Sequence, residues 1–572
     1  MKGRVAGLKP LLIVFLVALV VRGGTAVVLE DPRTWDSIYY YLLAANLAKG
    51  RGLVEDVIGH YQDGPEGLPH PAGAIWLPGQ ALAEAAAMKV FGVSFRGAQV
   101  AAVVLAALAS ALSYRFTWEI SGRRRTAALA AIFSLACGSM AANLVDTDCY
   151  TLYTVAGGMA LYSMYKSMVG WSDGQVVGWS DRARPLVRRA TTPSDQGPPD
   201  QKTKDQEAIR PGTNGAIWLA GTGLWIGLAH WTRQDAPLLW VVLLCAMVYR
   251  RWRIAECGTR NHSAICNPHS AIICSLGLYL IVVAPMYLRN LRVWGKLSPV
   301  DPLYAAFLTD YNHFFALEPR TDIARFLAQG WRTILATRWE ALRFSALVVF
   351  GRAAFQIWQV PFLGLGVWAV RRRRELFPVL IYPLLLWLVL GIVYAFPAVH
   401  GTFLHSLSAF LPFGYGLAAL GVEEAGRLLG QLKGIRGAPM TRYLQVLTAV
   451  TAVLFTAAAL LHGWREASQG QEACRWLGEA FSSTPAQVRV MSPNPPAMAY
   501  CTGRAGIVVP GEEVAETETV IEAMKRFGVE YLALWGTVKL EPESGTGNPG
   551  RLVPFLSFEE RGIRIWKLED EG

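Results

Sequence analysis

Long apolar runs recur along the chain, separated by short polar connections rich in arginine. Residues 11–29, 100–118, 126–144 and 443–462 are each long enough to cross about 30 Å of hydrocarbon as a helix. Lipid offers the backbone no hydrogen-bond partner, so such runs are predicted to be helical. The same reading along the whole chain gives spans near 11–29, 98–118, 126–144, 149–168, 215–231, 236–249, 271–288, 343–369, 377–396, 402–421 and 443–462, eleven crossings in all. Beyond Trp464 the pattern changes. Residues 488–491, 506–509, 531–535 and 563–568 read as short strands, and 517–527 as an amphipathic helix stopped by Gly528. The chain is therefore expected to be a mainly α, polytopic membrane protein: a membrane domain over 1–463 and a small α/β domain over 464–572.

Composition agrees with lipid. Of 572 residues, 53% are hydrophobic and 17% charged, whereas a soluble domain carries nearer a quarter charged. The net charge of +11 comes in short clusters between spans: Arg123-Arg124-Arg125, residues 182–189, Arg250-Arg251-Trp252-Arg253 and residues 371–374. No nucleic-acid-binding motif accompanies them, so they read as positive-inside anchors and no nucleic-acid partner is expected. Lys2, Arg4 and Lys9 put the N-terminus in the cytoplasm. Arg22 and the apolar stretch beyond it favour a retained anchor over a cleaved signal peptide. Counting crossings then puts every arginine cluster, and the polar linker loop 170–215, on the cytoplasmic side. The loop 30–96, the turns 146–148, 233–235 and 397–401, the loop 289–343 and the tail fall outside. This describes a multi-pass protein of the cell membrane with an extracytoplasmic C-terminal domain.

The eight cysteines form no dense framework. Cys137, Cys149 and Cys245 read as small apolar residues. Cys474 and Cys501 can form a disulfide if the tail is extracytoplasmic. Cys257, His262, Cys266 and His269 have the residue types of a zinc site, but their spacing fits no standard finger.

The first outer loop holds the most informative stretch. Tyr40, Ala44, Leu47 and Ala48 share one helical face, so a short amphipathic helix is predicted to follow Asp36 and to lie at the membrane surface. On spacing alone Asp36 reads as the helix cap. Trp35-Asp36 with the tyrosines after it and Gly50-Arg51-Gly52-Leu53 resembles the signature of the GT-C superfamily of membrane glycosyltransferases. The nearest likeness is to the protein mannosyltransferases that use dolichyl-phosphate-mannose and to the lipid A aminoarabinose transferases. Pro69-His70-Pro71, Trp76-Leu77-Pro78-Gly79, Arg22, Asp146-Thr147-Asp148, Thr232-Arg233-Gln234-Asp235 and Leu288-Arg289-Asn290 with Gly295 continue the resemblance in order over about 10–300. One segment departs: His400-Gly401-Thr402-Phe403-Leu404-His405-Ser406 stands where many relatives have Arg-Tyr.

The resemblance implies transfer of a sugar from a polyprenyl-phosphate donor to a hydroxyl of a lipid, glycan or protein acceptor, with inversion. It implies Asp36 as the base that takes the acceptor proton. The departing phosphate needs cations, and Arg233, Arg289, Arg292, Lys296 and His405 are the candidates. Tyr40, His70, Asp146 and Asp148 are further site candidates. A monophosphate donor has no diphosphate for a metal to bridge, so no cofactor is required, although Asp146 or Asp148 could hold a divalent ion. Each residue also has an ordinary reading: Arg289 and Arg292 as headgroup anchors, Asp146 and Asp148 as a capped polar turn, His70 as loop packing. The main alternative function is a transporter or lipid flippase, which would concentrate ionisable residues at the midplane or repeat itself in two halves. The ionisable residues here gather at span ends, and no internal repeat is evident.

Overall fold

Apolar helices that cannot bury themselves alone bundle against one another, and the computed structural model shows such a bundle with a small sheet beside one end. It describes residues 2–172, 212–256, 268–432, 437–511, 517–535, 551–558 and 562–569. The helices are α1 (Lys2–Val28), α2 (Trp35–Ala48), α3 (Gly79–Phe91), α4 (Phe95–Ser121), α5 (Arg124–Leu135), α6 (Met140–Asn143) and α7 (Tyr150–Ser172). They continue as α8 (Gly212–His230), α9 (Leu238–Glu256), α10 (Pro268–Trp294), α11 (Ile323–Ala328), α12 (Gly330–Phe344), α13 (Val360–Val370) and α14 (Phe377–Ile392). After short helical turns over 395–410 come α15 (Leu411–Leu432), α16 (Gly437–Phe481), α17 (Pro495–Thr502) and α18 (Thr517–Phe527). Among the described residues, six helical stretches are long and apolar enough to cross a membrane. The architecture is that of a polytopic membrane protein.

Several predicted spans are interrupted. The run 126–144 is two helices, α5 and α6, broken around Gly138 at φ +64°. The run 343–369 contains a wide helical turn over 345–354 and a break before α13. The last span continues without interruption to Phe481, so no structural boundary falls at 464. The zinc-type residues Cys257, His262 and Cys266, and residues 173–211 of the linker loop, lie outside the described residues.

Arg22 explains the break in α5. It is fully buried, and its guanidinium donates to the carbonyls of Ser134 (2.5 Å) and Ala141 (3.3 Å) and to Cys137 Sγ (3.6 Å). A helix that stops inside a bundle leaves carbonyls without partners, and a cation at its C-terminal end satisfies them.

The first loop carries three two-residue strands, β1 (Val54–Glu55), β2 (Val57–Ile58) and β3 (His70–Pro71), of which β1 and β3 pair with each other; the C-terminal unit is a six-stranded sheet made of β2 and five strands of the tail, in the order β2-β5-β4-β6-β8-β7. Its strands are β4 (Val490–Ser492), β5 (Gly506–Val508), β6 (Tyr531–Leu534), β7 (Arg551–Phe558) and β8 (Ile563–Glu569), near the predicted ones except for β7. The sixth strand, β2 (Val57–Ile58), comes from the first loop and pairs parallel with β5. Ile58 and Tyr61 enter the core of this unit, and Phe315 and Leu317 pack against it. Cys474 and Cys501 form the expected disulfide, which ties α16 to α17. The unit is thus stitched to the loops beside it rather than hung from a linker.

Replacing Arg22 by Met leaves the Ser134 and Ala141 carbonyls unpaired in an apolar interior. The expected loss is about 3 kcal/mol, read as a lower unfolding temperature in detergent.

Candidate active site

Five loops meet at one end of the bundle, and these are the segments that the sequence assigned to a single side of the membrane. Arg33 of the first loop bonds Asp146 Oδ2 through Nε at 3.3 Å. Gln234 Nε2 donates to the Ala74 carbonyl (2.8 Å), Arg233 reaches the Thr402 carbonyl (3.5 Å), and Gln62 donates to the Phe314 carbonyl (3.0 Å). The Trp76-Leu77-Pro78-Gly79 motif has a steric reason. Gly79 donates its N–H to the Trp231 carbonyl at 2.7 Å, and a Cβ at this position would stand 2.6 Å from that oxygen. Only glycine lets the two chains approach so closely.

Helix α2 does not use Asp36 as its cap. Thr34 caps it, in a reciprocal pair with Ser37: the Ser37 N–H donates to Thr34 Oγ1 (3.0 Å) and the Thr34 N–H to Ser37 Oγ (2.8 Å). Nor does α2 lie free on a membrane surface. It is largely buried, with Tyr39, Tyr40, Leu43 and Ala44 in a core shared with α3. The cap leaves the Asp36 carboxylate available, and it faces a cavity of about 510 Å³.

Three groups surround that carboxylate. The indole N–H of Trp76 donates to Asp36 Oδ1 at 3.0 Å. His405 Nε2 lies 3.6 Å from Asp36 Oδ2 and 3.1 Å from Asp148 Oδ1. His405 Nδ1 is 2.9 Å from the Gly401 carbonyl, which can only accept, so Nδ1 carries a proton. With Nε2 facing ionised carboxylates, both ring nitrogens donate and the ring is an imidazolium, stacked on Tyr150 at 4.2 Å.

The two carboxylates are not equivalent. Burial pushes the Asp36 carboxyl up to about 6, with Asp148 pushing the same way and His405, Arg233 and Trp76 pulling back. Asp148 is more deeply buried, but contact with His405 and the Cys149 N–H (2.6 Å) holds it below the usual carboxylate range. Paired acids driven apart in this way divide their roles: one stays ionised, and the other is poised to exchange a proton near neutrality.

Arg233 lines the same cavity. Its Nε donates to Asp235 Oδ1 and Ser406 Oγ, both at 2.9 Å, and Nη1 lies 3.8 Å from Cys149 Sγ. Tyr40 and His405 line the cavity as well. His400 does too, with its ring flat against Tyr311 at 3.5 Å. The cavity has an apolar end, formed by Pro237, Leu238 and Val241 at the start of α9 and by Val389, Leu390 and Tyr394 at the end of α14.

Other candidates stand apart. Arg289 donates to the Leu53 carbonyl at 3.0 Å and covers the Trp294 ring at 5.0 Å; it braces the first loop and does not line the cavity. Arg292 and Lys296 are exposed and line no part of the cavity. Asp146 is raised to about 6 by burial, against the pull of Arg33, and ties the first loop to the turn. His70 is buried against Asp63 at 2.7 Å, with His60 on the other side of that carboxylate at 3.6 Å. Asp148, Cys149 and His405 have ligand atoms within 4.8 Å of one another and could hold a metal, with the Arg233 cation set beside them; Asp146 is not in this group. Sequence reasoning missed the Trp76–Asp36 bond, although the motif carrying Trp76 was visible. It also missed Tyr311, which comes from a loop without periodicity.

Replacing His405 by Phe removes the charge that draws Asp36 down, so Asp36 is expected to titrate above about 6. Difference infrared spectroscopy of the carboxyl band reads this directly.

No family model matches the chain, and no curated protein matches it in sequence. Solved structures do. ArnT from Cupriavidus metallidurans bound to undecaprenyl phosphate aligns at TM-score 0.53 and 11% identity, covering 97% of both chains. The same protein in the apo state aligns at TM-score 0.50 and 12% identity, covering 98% of both. ArnT is a lipid A aminoarabinose transferase, a GT-C glycosyltransferase. Over nearly its whole length, the chain shares the fold of these two structures.

Proposed function

We propose that the chain is a glycosyltransferase that takes a sugar from a polyprenyl-phosphate donor and passes it to an acceptor hydroxyl. The observation that carries this reading is the two-ended cavity, which offers a carboxylate and cations at one end and aliphatic side chains between α9 and α14 at the other. A polyprenyl phosphate has the matching halves. The fold is shared with a protein crystallised with undecaprenyl phosphate, which supports the same donor class.

In the proposed step Asp36 accepts the proton of the acceptor hydroxyl. The new bond from that oxygen to the anomeric carbon forms as the bond from that carbon to the phosphate oxygen breaks, with inversion. The electron pair leaves with the phosphate, and Arg233 and the His405 imidazolium stabilise the growing negative charge. Asp148 keeps His405 charged and oriented. The step needs no metal. With the positive-inside orientation the reaction takes place at the outer face of the membrane, with the N-terminus cytoplasmic and the C-terminal unit outside.

The transporter reading finds little support. Its expected signature is an ionisable group free at mid-span, whereas the buried Arg22 is spent on helix-end carbonyls.

Replacing Asp36 by Asn keeps the shape and the Trp76 bond but removes the base. Transfer from a polyprenyl-phosphate sugar in membranes is expected to fall about 10²- to 10⁴-fold with insertion unchanged; a variant as active as wild type removes Asp36 from this role. A base works only when ionised, so the wild-type rate is expected to fall as pH drops through about 6 and to level off above it. A rate that rises on acidification contradicts the assignment.

A further inference from the structure

The far end of the bundle carries a second cavity that the proposed reaction does not use. Helix α4 has 27 residues, about 40 Å at 1.5 Å per residue. Its Phe95 end follows the first loop, and its Ser121 end leads into a crevice of about 690 Å³. The crevice is bounded by the start of α5, the end of α13, the second half of α15 and the start of α16.

Its charge is unbalanced. Five arginines (123, 124, 125, 427 and 442) face two glutamates, Glu423 and Glu424. Both glutamates are already neutralised. Glu423 pairs with Arg123 and accepts from Thr126 Oγ1 at 2.5 Å, while Glu424 takes Arg427 through two bonds of 2.5 and 3.0 Å. Among the described residues, Arg124, Arg125 and Arg442 have no carboxylate partner. Three guanidiniums around a cleft between apolar helices form a trap for a phosphate group.

The surroundings narrow the ligand further. From Arg442 the exposed face of α16 continues through Tyr443, Val446, Leu447 and Val450, each 46–64% open, as an apolar strip that begins at the crevice. A free anion has no use for such a strip, whereas an anionic phospholipid uses both features. Basic pockets between membrane helices are suited to such headgroups.

We propose that this crevice binds the phosphate headgroup of an anionic phospholipid, with its acyl chains lying along α16. The test uses the full chain purified in neutral detergent and titrated separately with phosphatidylglycerol, phosphatidylcholine and inorganic phosphate. Phosphatidylglycerol alone is expected to raise the unfolding temperature, by about 3 °C at saturation. The double variant R125Q/R442Q, altered at two exposed positions, is expected to bind it about tenfold more weakly. Equal shifts with phosphatidylcholine overturn the headgroup assignment. A full shift with inorganic phosphate alone assigns the crevice to a soluble anion instead, and a wild-type response in the double variant removes the crevice from the effect.

Discussion

A half-buried carboxylate and a fully buried one share one imidazolium, and the geometry of the whole site follows from that contact. Asp36 and Asp148 could not both stand here as bare charges, because neighbouring like charges raise each other's proton affinity. His405 between them, at 3.6 and 3.1 Å, makes the arrangement tolerable and makes it unequal. The closer acid stays ionised, and the farther one is left near neutrality. The contact also joins three distant parts of the chain, since His405 and Asp148 lie 257 positions apart.

The scaffold around this contact serves to hold loops. Arg22 ends α5 inside the bundle, and the turn 146–148 is tied to the first loop through Asp146 and Arg33. Gly79 presses the first loop against the Trp231 carbonyl beside Arg233. The C-terminal sheet receives β2 from the first loop on its edge, and Phe315 and Leu317 from the loop that carries Tyr311. It therefore grips both walls of the cavity. Such stitching positions loops without contributing a reacting group.

Local patterns predicted the local elements well. The apolar face of residues 517–527 and the glycine after them give α18 and its end, with Gly528 at φ +61°. The short apolar runs in the tail give most of its strands. Asp36 and Arg233, named from a family likeness, and His405, named from the segment that departs from it, face one cavity. What the chain hid is long-range. Nothing near Val57 indicates that it pairs with Gly506. Asp36 looked like a cap because the competing Thr34–Ser37 pair depends on backbone angles that spacing does not reveal. Arg289, Arg292 and Lys296 share the correct side with the cavity but not its wall; sidedness is set by hydrophobic pattern, whereas direction within a loop is set by packing.

The central claim is that the cavity beside Asp36 receives a lipid phosphate, with its polar head against Arg233 and His405. A structure of the full chain with bound polyprenyl phosphate tests this most directly. The account predicts the phosphorus within hydrogen-bonding reach of Arg233, the tail leaving between α9 and α14, and Asp36 facing the oxygen that would carry the sugar. A phosphate bound elsewhere with this cavity empty, or a tail that runs away from α9 and α14, would contradict it.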